Sequence, residues 1–98
     1  MTFSKTFSKE DFKNLGLNIT EDNDMVFGKY HSFYVFHCFR HIGLIGVRKL
    51  YEYSYGKRWA DVNFSELDLA KKQIIETVKV VKQQELDFKL KDINDDFN

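Results

Sequence analysis

The chain has 98 residues, of which 43% are hydrophobic and 31% are charged, and its 15 Lys and Arg balance its 15 Asp and Glu at a formal net charge of zero. A chain of this length folds as one domain around one core, which excludes the interdomain clefts of most multi-substrate enzymes. The apolar fraction and the balanced charge also exclude an intrinsically disordered chain.

Cysteine usage and apolar runs indicate the compartment. Cys38 is the only cysteine, so the chain forms no internal disulfide, and we expect a reducing, cytoplasmic location. The first ten residues lack the apolar run of a secretory signal. The most apolar stretch, residues 33–47, is shorter than a membrane span and contains Arg40, so we expect no membrane association.

The amino-terminal segment carries the signals of a short helix. Ser8 is a residue type that caps helices, and Phe7 and Phe12 have the spacing of a hydrophobic staple. Glycine adopts the left-handed backbone of a helix end at little cost, so we expect this helix to end at Gly16.

Residues 30–64 show the period of two that is typical of strands. Residues 30–39 are rich in aromatic residues and lack proline, as in a largely buried strand. Residues 59–64 also alternate, and Gly56-Lys57 before them is predicted as a tight turn. We expect a shorter strand over residues 17–20 or 25–27 to precede these.

Residues 44–55 fit two patterns. Their apolar residues at spacings of three and four also allow a helix that ends near Gly56. The alternating tyrosines favour a strand, and Gly43 and Gly46 would each weaken a helix by about 1 kcal/mol relative to alanine. We therefore predict a strand.

A long amphipathic helix is predicted after Ser65, which can cap it, and is expected to end near Gln84. Beyond it, Leu86, Phe88 and Leu90 alternate with charged residues, which predicts a strand with one solvated face. The apolar stripe of the helix consists of Leu67, Ala70, Ile74, Val78 and Val81.

These elements together predict an α+β fold. It comprises a short N-terminal helix, an antiparallel sheet of four to five strands, one long amphipathic helix packed on one sheet face, and a C-terminal strand. We expect a single domain over residues 1–91 and a frayed acidic tail over residues 92–98.

The histidines and the cysteine do not form a recognisable metal or catalytic site. His37 and His41, with Cys38 beside them, have the spacing of a zinc pair on a helix. On a strand this spacing separates the two rings by about 13 Å, which is too far for one metal ion, and Cys38 points to the opposite face. The sequence therefore predicts no metal, no cofactor and no enzymatic activity.

Charge and aromatic residues concentrate in the middle of the chain. Residues 29–60 carry a net charge of +5 between flanks of −2 and −3, and they hold nine of the 16 aromatic residues. Lysine and arginine neutralise phosphates, and exposed aromatic rings stack on bases, so their combination is typical of single-strand nucleic-acid binders.

We therefore predict a small non-catalytic binding module whose basic, aromatic sheet surface engages an anionic partner, with nucleic acid as the first choice. Tyr, Trp and Arg are also enriched at protein interfaces. The alternative is thus a protein-binding regulator or inhibitor, in one form a homodimer, that uses the same surface against an acidic protein. The candidate binding residues are Arg48, Lys49, Tyr51, Tyr53, Tyr55, Lys57, Arg58 and Trp59.

Overall fold

The structure is a computed structural model that describes residues 6–96 and the side chains of residues 6–88. A five-stranded antiparallel sheet lies against one long helix, and the strands follow one another across the sheet in chain order. This arrangement confirms the predicted α+β class, with the long helix packed on the sheet. The elements are β1 (Asn18–Glu21), β2 (Met25–Tyr30), β3 (Phe33–Phe39), β4 (Leu44–Tyr53), β5 (Gly56–Phe64) and α1 (Leu67–Asp96).

The core lies between one face of the sheet and α1. Val26, Cys38 and Ile45 are paired neighbours in a row across β2, β3 and β4, and all three are fully buried. The predicted apolar stripe of α1 is confirmed, because Ile74 is fully buried and Val78 is nearly so. The described hydrophobic residues of the core are Phe7, Phe12, Val26, Val35, Phe36, Cys38, Ile45, Val47, Ala70, Ile74, Val78 and Val81.

A bulge in β3 breaks the expected alternation. Gly28 pairs with Phe36 and Lys29 pairs with Tyr34, so Val35 is an extra residue in β3. Val35 and Phe36 are consecutive, yet both are buried. The bulge therefore allows two neighbouring side chains to enter the core, as one extra residue in a strand does.

The amino-terminal segment covers the same sheet face as α1. The rings of Phe7 and Phe12 lie 6.2 Å apart, which confirms the predicted staple, and the Phe12 ring lies 4.4 Å from that of Phe36. Phe36 lies across Gly28, where a Cβ atom would overlap its ring. Glycine at this position in β2 is therefore a packing requirement.

Arg40 joins three segments of the chain. Its Nε donates to the Phe7 carbonyl at 3.0 Å and its Nη1 to the Asp22 carbonyl at 2.8 Å, while Nη2 lies 3.9 Å from Glu21. Arg40 follows β3, so these contacts attach the amino-terminal segment to β1 and to the end of β3. The Arg40 guanidinium therefore has a structural role.

The turn between β1 and β2 is closed by Asp22. Its carboxylate accepts the backbone N–H groups of Met25 at 2.7 Å and Asp24 at 2.8 Å. These two hydrogen bonds lower the pKa of Asp22 below its ordinary value of 3.8. Their stabilising effect is therefore present above that value and is lost as the pH falls through the lowered pKa.

Strand β4 is longer than its pairing with β3. The β3–β4 register ends at Phe36 and Val47, whereas β4 and β5 stay paired from Ile45 and Phe64 to the hairpin turn. At the end of the β3–β4 pairing, the buried hydroxyl of Thr77 donates to the Arg48 carbonyl. The remainder of the β4–β5 hairpin extends past β3.

Two predicted elements are wrong. The N-terminal helix is a single 3-10 turn, Lys9–Phe12, because Lys13 is already extended and Asn14 has a left-handed φ of 67°. The predicted C-terminal strand is part of α1. No glycine or proline interrupts the chain after Gln84, so the helix continues for three more turns.

Other boundaries shift while the strands persist. Residues 30–39 do not form one strand, because a turn at His31-Ser32, with His31 at a φ of 55°, divides them between β2 and β3. Strand β4 confirms the prediction of a strand over residues 44–55, and both candidate early strands are present. The hairpin turn is Ser54-Tyr55, two residues before the predicted Gly56-Lys57.

The carboxy-terminal residues are described in part. Helix α1 continues to Asp96, so residues 92–96 of the predicted tail have a helical backbone, while their side chains and residues 97–98 lie outside the described residues. In the part of the chain that the structure describes, no helix combines the length and the apolar character needed to cross a bilayer.

Replacing Arg40 tests the connection that it makes. We expect Arg40→Leu to lower the free energy of unfolding by about 1–3 kcal/mol, because two carbonyls lose a charged donor. Urea unfolding followed by circular dichroism measures this. Arg58→Leu, at an exposed position, should change the free energy by less than about 0.5 kcal/mol. Equal effects of the two substitutions would contradict the assigned role.

Two glycines offer a second comparison. Gly28→Ala should destabilise the domain by about 1–3 kcal/mol, because the new methyl group meets the buried Phe36 ring. Gly46→Ala should cost less, because its methyl group meets the half-buried His37 ring, which can turn toward solvent. Thermal melting of both variants measures the order, and a more stable Gly28→Ala protein would refute the packing argument.

Candidate binding surface

The β4–β5 hairpin places the predicted binding residues on two faces. Side chains alternate along a strand, so odd positions of β4 continue the row that begins with the buried Ile45 and Val47. Beyond these two residues α1 covers the row less. Lys49 lines a depression with Gln73 and Glu76 of α1 and is exposed, and Tyr53 is also exposed, with 46% of its surface accessible. The same row is thus core near α1 and surface near the hairpin turn.

Three tyrosines form a ladder along this exposed part of the row. The ring centroids of Tyr51 and Tyr53 are 6.3 Å apart, and those of Tyr53 and Tyr55 are 5.1 Å apart with the planes at 1°. Tyr55 is 71% exposed at the hairpin turn, whereas Tyr51 is half-buried. The ladder therefore becomes more accessible toward the turn.

Two cations flank the ladder. Lys49 Nζ lies 5.3 Å from the centre of the Tyr51 ring, and the Arg58 guanidinium carbon lies 5.5 Å from that of Tyr55. Arg58 pairs with Tyr51 across the hairpin, which places it on the same face. Among the described residues no carboxylate forms an ion pair with Lys49 or Arg58. We call Lys49, Tyr51, Tyr53, Tyr55 and Arg58 the ladder surface.

The other three predicted residues lie on the opposite face of the hairpin. Lys57 Nζ is 3.3 Å from Glu52, and Arg48 Nε is 3.9 Å from Asp61. Trp59 is half-buried, with its ring 4.8 Å from that of Phe33. Sequence reasoning grouped all eight residues, but the structure brings five together and places the three others, with acidic partners or a packed ring, on the other side.

A second surface was missed by sequence reasoning. The sheet face opposite α1, here called the open face, contains a concavity of about 320 Å³ lined in part by Phe27, Tyr34, His37, Arg48 and Asp61. Met25 and Phe27, at alternate positions of β2, supply part of its apolar wall, and residues 25–27 were considered only as a candidate strand. Phenylalanine and tyrosine rings and the side chains of His37, Arg48 and Asp61 share this concavity.

Each of the three histidines makes a different contact. His41 Nε2 donates to the Asn23 carbonyl at 3.0 Å, and His31 Nδ1 lies 2.8 Å from Glu85 on α1. His37 packs edge-on against Phe39 at 5.6 Å and, although it lines the same concavity as Asp61, no hydrogen bond joins the two. Within residues 6–88 no cluster of three or more His, Cys, Asp or Glu side chains is placed to hold a metal ion.

Cys38 belongs to the core. It is fully buried in β3, and this burial, with a smaller contribution from the charge of Asp11, raises the pKa of its thiol to about 11. Since the thiolate is the reactive form, the thiol is unreactive near neutral pH.

Alkylation of Cys38 measures this protection. At pH 8 we expect iodoacetamide to modify the folded protein far more slowly than the protein in urea, because burial blocks access and keeps the thiol protonated. Mass spectrometry of timed samples gives both rates. Equal rates with and without urea would show that Cys38 is accessible in the folded domain.

Comparisons of the chain with protein-family models, with curated proteins and with solved structures find no match.

Proposed function

We propose that the protein is a small non-catalytic module that binds single-stranded nucleic acid on the ladder surface. The observation that carries this proposal is the exposed tyrosine ladder between two cations that have no carboxylate partner among the described residues. Aromatic rings bind bases without reading sequence, and cations bind the phosphates between them.

The arrangement favours a flexible single strand over a duplex. The rings of Tyr53 and Tyr55 are exposed at a hairpin tip, so unstacked bases can reach them. A duplex hides its base faces in the stack and offers only its backbone and groove edges. The tyrosines would then add little beyond what the two cations contribute.

The expected binding energies of the ladder surface are modest. Stacking contributes about 1–3 kcal/mol per base, so the two exposed rings contribute about 2–6 kcal/mol. Two phosphates neutralised on a single strand give a slope of about −1.4 in a plot of log affinity against log salt. One ladder surface therefore supports weak binding that is sensitive to salt.

A protein partner with an acidic surface is the competing function. The same tyrosines and cations suit it, since aromatic and arginine side chains are common at interface centres. The two functions differ in how they respond to nuclease: a complex that persists in a nuclease-treated lysate and is lost on substitution of the ladder surface supports the protein partner and overturns the nucleic-acid proposal.

A pair of charge-matched variants tests the proposed function. Anisotropy of a labelled oligothymidine of about 15 nucleotides, near the upper site size of a small binding domain, gives the affinity at about 50 mM salt. We expect Lys49→Gln with Arg58→Gln to weaken binding at least about tenfold and to remove most of the salt dependence.

The matched control removes the same charge elsewhere. Lys57 and Lys79 have carboxylate partners at 3.3 and 3.5 Å, so Lys57→Gln with Lys79→Gln should change the affinity by less than about twofold. Tyr53→Ala with Tyr55→Ala should weaken binding without changing the salt slope. Equal losses in the two charge variants, or no binding by the unmodified protein, would overturn the proposal.

A further inference from the structure

No element in the described part of the chain covers the open face of the sheet. Helix α1 and the amino-terminal segment both pack on the opposite face, and the open-face side chains are half-buried or exposed, with Tyr34 49% accessible. A sheet with an apolar face is stable when a second layer covers that face, and a large exposed apolar patch marks an interaction site. The large apolar residues of the open face are Met25, Phe27, Tyr34, Phe39, Leu44, Leu50 and Trp59.

One row of the open face carries charge in an ordered way. Lys29 on β2 lies with its Nζ 4.3 Å from the centre of the Tyr34 ring on β3. Arg48 on β4 pairs in register with Asp61 on β5. Tyr34 and Arg48 are not paired, because the β3–β4 register ends at Phe36 and Val47, but both line the same concavity of the open face. From β2 to β5 the order is therefore cation, aromatic ring, cation and carboxylate.

This order is complementary to itself after a half-turn. Rotation by 180° about an axis that lies between β3 and β4 and runs parallel to the strands exchanges β2 with β5 and β3 with β4. Facing copies then place Lys29 of one opposite Asp61 of the other, and Arg48 of one opposite the Tyr34 ring of the other. Each contact occurs twice, because a two-fold interface uses the same patch on both chains.

We propose that the open face binds a second copy of this chain, forming a two-sheet sandwich with the α1 helices outside. Lysine with carboxylate and arginine with aromatic ring are both favourable pairs, and they lie beside apolar side chains that the sandwich buries. The assignment to a second copy follows from the charge order, since a partner of one charge sign would leave either Lys29 or Asp61 facing a like charge.

The proposed dimer is independent of the nucleic-acid proposal. The ladder surface lies on the α1 side of the hairpin, so both copies keep it free. Variants at Lys29 and Asp61 thus test the dimer, while variants at Lys49 and Arg58 test the ladder surface, and either proposal can fail alone.

A charge-swap series tests the dimer. Sedimentation equilibrium of the full chain gives the dimer dissociation constant. We expect the unmodified protein to dimerise at about 100 μM, and Lys29→Glu or Asp61→Lys alone to raise the dissociation constant about tenfold, because each places like charges together twice. The double variant Lys29→Glu with Asp61→Lys exchanges the partners and should recover most of the affinity.

The control has the same charge change away from the open face. Lys79→Glu, on the outer side of α1, should leave the dissociation constant within about twofold of the unmodified protein. Circular dichroism establishes that each variant is folded. A monomeric unmodified protein at about 100 μM, single variants with unchanged dissociation constants, or a double variant as weak as either single one would each overturn the proposal.

Discussion

The fold depends on a helix that covers one face of a longer sheet. Helix α1 packs over the row of Val26, Cys38 and Ile45, where the sheet is widest, and its described side chains past Val81 are no longer buried. Among the described residues no helix or strand packs on the other sheet face. Two surfaces result: the open face, and the end of the hairpin where aromatic side chains emerge from the core row.

Both proposed surfaces are available because α1 covers only part of the sheet. Where α1 crosses the sheet, odd positions of β4 are aliphatic and buried. Toward the hairpin turn they are Lys49, Tyr51 and Tyr53, of which Tyr51 is half-buried and the other two are exposed. Among the described residues no carboxylate forms an ion pair with the cations alongside, and the hairpin's carboxylates, Glu52 and Asp61, lie on its other side. If two copies pair through the open face, one assembly presents two ladder surfaces, and linked weak sites bind a long strand more tightly than either site alone.

Much of the fold could be predicted from the sequence, for identifiable reasons. The stripe containing Ile74 and Val78 recurs at the helical period over many residues, so its buried face was unambiguous. The bulge at Val35 could not be predicted, because one extra residue leaves no mark on the composition of a strand. The segment after Gln84 was wrongly predicted as a strand, since a short alternation of apolar and charged residues fits both a helix and a strand. Tyr53 is exposed because α1 does not cover that part of β4. The alternation of side chains along a strand does not predict where a helix will pack on it.

The overhang of β4 beyond β3 has a consequence for self-association. After Val47 this strand has a hydrogen-bonding neighbour on one side only, so its other side is a free edge in the middle of a sheet. Strands of other chains can pair with such an edge, and aggregates can grow in this way. Here the first two residues beyond the pairing are Arg48 and Lys49, and Glu52 follows, so any strand approaching this edge must desolvate charged side chains. Thr77 already occupies the first exposed carbonyl from the α1 side. Arg48 and Lys49 thus disfavour the pairing of another strand with the unpaired edge of β4.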